Sequence, residues 1–145
     1  MKSILIITLS LVLNVACAGA EKINTSYFSG VAIDGYDVVA YHTEEAAIAG
    51  KDEFKATYKN ATWKFSSEDN RKLFLENPEH YLPQYGGYCA YAVSKGSTAD
   101  IDPTIFALVN GKLYLNYNKS VGEKWEKNKE KYIPLADKNW KQMTQ

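Results

Sequence analysis

Cys89 is the residue of this chain best suited to chemistry. It lies in Tyr85-Gly86-Gly87-Tyr88-Cys89-Ala90-Tyr91, a run of aromatics around two glycines. A thiolate is a strong ligand for soft metals and a good nucleophile, and local charge governs its reactivity. Two adjacent glycines open backbone conformations closed to other residues, or let another group come close. The same pattern also describes a buried thiol that packs as a small hydrophobe beside a tight turn.

Few other donors accompany it. The second cysteine, Cys17, falls in an N-terminal apolar leader, which leaves Cys89, His42, His80 and Met143 as soft or imidazole donors. A Cys₄ or Cys₂His₂ zinc site within one chain is thereby excluded. A low-coordinate Cu(I) site from Cys89 with His42 or His80 is open, because thiolate suits Cu(I). So is a site shared by two chains. His42 could instead serve as the base for a nucleophilic Cys89, with Asp37 orienting its ring or simply forming a turn. His80 follows Pro78-Glu79 at a helix end, where a cation interacts well with the dipole. The sequence contains no nucleophile elbow, phosphate loop, HExxH or CxxC.

The leader has the form of an export signal. Met1-Lys2 supplies a positive start, Ser3 to Val15 carries no charge, and Ala18-Gly19-Ala20 fits a signal-peptidase site. Cleavage after Ala20 would leave residues 21–145 as one domain in the periplasm or outside the cell, with no integral membrane segment. Cys17 offers the alternative of a lipoprotein anchor. An exported chain with one cysteine forms no internal disulfide, so its stability rests on an ordinary core. Formal charge is zero, and removal of Lys2 makes it −1. That balance argues against nucleic acid as a partner. Eleven tyrosines and three tryptophans point to an aromatic core with polar tips.

The elements that position these residues are short. Asp34-Gly35 marks a turn before the apolar, strand-like Tyr36–Tyr41. Thr43 can cap a helical turn through Glu44–Ile48 that Gly50 ends. Phe54–Tyr58 and Thr62–Phe65 alternate as two antiparallel strands joined at Asn60-Ala61, with Trp63 and Phe65 on one face. Ser66 or Ser67 caps a helix over Glu68–Glu76, and Pro78 starts a further turn to Tyr81. Tyr88–Val93 suits a short helix or an extended segment, and Ser94–Pro103 a polar loop. Asn110-Gly111, between Ile105–Val109 and Lys112–Tyr117, is the strongest hairpin signal. In the tail, Val121 with Trp125 and Tyr132, Ala136 and Trp140 recur at helical spacing, and Pro134 breaks this pattern or begins its second helix.

Gly35-Tyr36-Asp37-Val38-Val39-Ala40-Tyr41-His42-Thr43, the first hairpin, Phe65-Ser66-Ser67-Glu68-Asp69-Asn70-Arg71 and Asn77-Pro78-Glu79-His80-Tyr81 together resemble the YHS domain family. The continuation through Tyr85–Val93 and Leu113–Asn118 resembles its longer, exported members. The two hairpins and the intervening helix predict an α+β fold, and the resemblance implies a YHS-type core of a β-hairpin and short helices, extended by a second hairpin and C-terminal helices. It also implies heavy-metal handling, copper above all, or service as an accessory module. Short family members carry cysteines where this chain has Ala40, Ser66 and Asn70, so their thiol site does not transfer. Three functions therefore stand open. The first is an exported copper-binding protein using Cys89, with His42 or His80, that meets a metal ion or a metal-handling partner. The second is a thiol-based redox or nucleophilic protein using Cys89 and His42. The third is a non-catalytic interaction module.

Overall fold

Among the described residues, two antiparallel hairpins and six α-helices make up an α+β fold. The structure, a computed structural model, describes residues 22–145. The leader, its expected cleavage point after Ala20 and Cys17 lie outside the described residues. In chain order the elements are α1 (Val38–Thr43), β1 (Lys51–Tyr58), β2 (Ala61–Phe65), α2 (Glu68–Glu76), α3 (Pro78–Tyr81), α4 (Ala90–Ser94), β3 (Asp102–Val109), β4 (Lys112–Asn116), α5 (Lys119–Lys127) and α6 (Lys129–Met143). Among the described residues no helix is long and apolar enough to cross a membrane.

In the first hairpin, β1 and β2 pair antiparallel, and Ala61, Trp63 and Phe65 all point inward. Trp63 and Phe65 share the buried face, as the two-residue pleat requires. Tyr58 pairs with Ala61, so the turn residues are Lys59 and Asn60, one position earlier than Asn60-Ala61. Both have positive φ, the conformation of a two-residue hairpin turn that follows strand twist. The second hairpin turns at Asn110-Gly111, again with positive φ at both residues.

The strand β4 is buried along Leu113–Asn116 and stands between two apolar clusters. Leu113 and Leu115 join Trp63, Phe65, Phe74 and the α1 valines in one cluster; Tyr114 joins Tyr85, Trp125 and Tyr132 in the other. Successive side chains point to opposite faces, so one short strand serves both.

The segment Tyr36–Tyr41 departs from its strand-like reading. Val38 to Thr43 is a helix, and Val38, Val39, Ala40 and Tyr41 are all buried. A helix covered on every side shows no amphipathic period, so an apolar run alone does not separate it from a strand. Thr43 closes this helix, its Oγ1 donating to the Val39 carbonyl at 3.2 Å. It caps no helix over Glu44–Ile48: Glu45 has positive φ, and the Ile48 carbonyl accepts from the Asp37 amide. In the tail the break falls at Asn128, and Pro134 lies inside α6. Pro134 is exposed, so the carbonyl its ring deprives of a partner can turn to water.

The glycine pair has a backbone reason. Tyr85, Gly86 and Gly87 all take positive φ. A Cβ at Gly86 would lie 1.9 Å from the Lys22 carbonyl oxygen, and one at Gly87 would lie 2.7 Å from Ile33 Cγ2. Asn24 seals the contact: its amide donates to Gly86 O at 2.8 Å and its Nδ2 to Gly87 O at 3.2 Å. The glycines therefore let the N-terminal segment lie against the turn before Cys89.

Gly111 is different, because a Cβ there meets nothing within 4 Å. Gly111→Val should cost only the left-handed backbone term, about 1–2 kcal/mol. Gly86→Ala should cost more, because it must also push Lys22 away. Urea denaturation of both variants tests this order; equal losses would mean that the segment at Lys22 does not lie against Gly86.

Candidate functional site

Cys89 precedes α4 and is 1 % exposed. Its amide donates to the Ala99 carbonyl at 3.0 Å, and its carbonyl accepts from the Val93 amide at 3.0 Å. The sulfur lies 3.6 Å from Asn116 Oδ1. That oxygen can only accept, so the thiol donates. The same oxygen accepts from the Tyr91 amide at 3.1 Å. Asn116 is itself 2 % exposed. Cys89 and Asn116 thus join the end of β4 to the start of α4.

Neither histidine hydrogen-bonds this sulfur; the two imidazoles meet each other instead. His42, in the last turn of α1, and His80, in the last turn of α3, have ring centroids 5.4 Å apart and planes tilted by 38°. Tyr81 stands edge-on to both, at 5.5 and 4.8 Å. His80 is exposed and His42 partly buried. His42 Nε2 is buried without a hydrogen-bond partner. Burial, and then the charge of His80, hold the His42 pKa below its ordinary value, with the Tyr81 backbone opposing. Among the described residues no three His, Cys, Asp or Glu side chains gather as a metal-holding group.

Asp37 does not orient His42. It is fully buried and ties three elements together. Oδ1 caps α1, accepting from the Val39 amide at 2.9 Å and the Ala40 amide at 3.2 Å. Oδ2 accepts from the Ser66 amide at 2.8 Å, Ser66 Oγ at 2.7 Å and Asn70 Nδ2 at 2.7 Å. Ser67, not Ser66, caps α2, accepting from the Asn70 amide at 3.1 Å. Ser66 and Asn70 stand where the resemblance places cysteines, and here both bind one carboxylate. No sequence pattern announces this cluster, whose members are separated by up to 33 positions in the chain.

Two adjoining clefts, of about 450 and 350 Å³, follow the seam between the N-terminal segment and the end of α6 and share Lys22, Ile23, Lys59 and Thr144. Met143 lines the larger one. In the smaller, Tyr85 donates its hydroxyl to Asp137 Oδ1 at 2.8 Å. Burial, then that carboxylate, push the Tyr85 pKa well above its ordinary value, so the phenol keeps its proton. Comparison with known proteins returns no matching family model, no similar curated protein and no similar solved structure.

Asp37→Ala should cost at least about 3 kcal/mol, because it leaves several buried donors unmatched. Asp37→Asn should also be costly, since its amide nitrogen would face N–H donors on one side or the other. Urea denaturation measures both; a loss below about 1 kcal/mol in either would show that water replaces the carboxylate.

His42 gives a pH signature. Its folded pKa is depressed below 6.5, so the unfolded chain binds the proton first as pH falls. Stability from this group is complete above about 6.5 and declines below it, until the folded imidazole also protonates. The urea midpoint should therefore fall between about pH 7.5 and 5.5, and fall less in His42→Asn. An identical fall in both proteins would assign the effect elsewhere.

Proposed function

We propose that this protein is an exported YHS-type, non-catalytic module in heavy-metal handling, with copper as the first metal to test. The metal half of this reading is carried by the resemblance of Gly35–Tyr81. The non-catalytic half is carried by one observation: Cys89 donates its thiol proton to the buried Asn116 oxygen and has no imidazole partner. A nucleophilic thiol needs a base within hydrogen-bond reach and an open approach. Cys89 here has neither, and His42 faces His80 and Tyr81 instead. Cys89 is accordingly a structural thiol, and metal ligands are sought among the imidazoles.

Two measurements test this. Native Cys89 should alkylate slowly with iodoacetamide, at a rate that rises only as the fold opens. Metal content of protein purified from its native compartment should be equal in wild type and Cys89→Ser, since a serine hydroxyl can still donate to Asn116. Loss of copper in Cys89→Ser would return the thiol to the metal site. Fast alkylation that no metal suppresses would favour the thiol-redox reading.

A further inference from the structure

Two short helices bring the chain's only imidazoles side by side, although their sequence positions are far apart. The pair is held by its surroundings: α1 is anchored through Asp37, α3 begins at Pro78, and Tyr81 braces both rings by its edge. Asp37 is occupied elsewhere and Glu79 accepts from Tyr58 at 2.6 Å and Lys59 at 2.6 Å, so neither carboxylate is placed to bridge the histidines. Among the described residues no acceptor or donor meets His42 Nε2. A buried ring nitrogen without a partner costs stability, and such groups call for a role.

We infer that His42 and His80 form a two-imidazole site for a borderline first-row divalent cation, Zn(II) or Cu(II), at the junction of α1 and α3. Imidazole nitrogen suits these ions, and two rings sharing one ion at metal–nitrogen distances of about 2.0–2.1 Å have centroids roughly 5–6 Å apart. The observed separation is 5.4 Å. Exposed His80 has room to turn its ring toward the shared ion, while His42 is fixed. His80 is exposed, so water or a ligand from a metal-handling partner would complete the sphere from its side. An incompletely enclosed ion exchanges readily, which suits transfer more than storage. This assignment rests on the metal-handling reading for its biological sense, and it replaces Cys89 by imidazoles as the ligand set.

The test uses purified, metal-free protein titrated with Zn(II) and with Cu(II) by calorimetry, while imidazole NMR signals are followed. His80→Asn and His42→Asn should each weaken binding at least tenfold, and both imidazoles should shift together in wild type. Because His80 is exposed, its replacement leaves the core intact, so that variant decides the matter even where His42→Asn folds poorly. Cys89→Ser should bind as wild type does. Undiminished binding in His80→Asn overturns the site. Binding abolished only by Cys89→Ser overturns the site but leaves metal handling standing. Failure of wild type to bind either ion overturns the site, and absence of any metal, copper included, from natively purified protein then removes the wider reading as well.

Discussion

The fold turns on one buried carboxylate. Asp37 is shielded from water and depends on its hydrogen bonds for the solvation it lacks. Its donors come from the first turn of α1, the end of β2 and the body of α2. These elements can take only the few relative positions in which every donor still reaches its oxygen. Apolar packing of Val38, Phe65 and Phe74 supplies the larger driving force, but packing tolerates sliding where directed hydrogen bonds do not. Displacing the hairpin from α1 would leave both a buried charge and its donors unmatched, and the carboxylate makes that displacement costly.

Asn116 plays the corresponding part for the second hairpin. Its oxygen joins Cys89 and the Tyr91 amide, holding α4 to the end of β4. The two pins are bridged by β4 itself, whose leucines pack with the Asp37 side of the molecule and whose Tyr114 packs with the tail helices. The left-handed turns Ile33–Gly35 and Gln84–Gly87 lock this arrangement at the N-terminal end, where Ile33 lies against Gly87 too closely for any side chain there. A conformation that only glycine adopts cheaply therefore has a packing consequence several elements away.

Much of this was legible in the residues. Alternation in Thr62–Phe65 and the Asn110-Gly111 turn are local signals, and local geometry decides them. The helix Glu68–Glu76 carries its own serine cap. What escaped was tertiary. Val38–Tyr41 is helical because Asp37 caps it and its neighbours surround it, neither of which leaves a periodic trace. The break at Asn128 displaced the one expected at Pro134, because an exposed proline can be absorbed into a helix whose buried stripe, Tyr132 and Ala136, continues past it. Among candidate site residues, no spacing in the sequence determines how far His42 lies from Cys89, whereas the meeting of His42 with His80 follows from the docking of α3 on α1.

The residues gathered around Asp37 share one physical task. In this chain Ala40 donates its backbone amide, Ser66 its hydroxyl and amide, and Asn70 its side-chain amide, all to Asp37. The carboxylate thus joins α1, the end of β2 and α2 by hydrogen bonds alone. Such a cluster is complete without an ion, because each oxygen already has its donors and a cation would have to displace them. A metal site must then lie outside this cluster. The imidazole pair fits that demand: it sits on α1 and α3, held in place by the Asp37 cluster but using none of its atoms, and one of its rings is open to solvent.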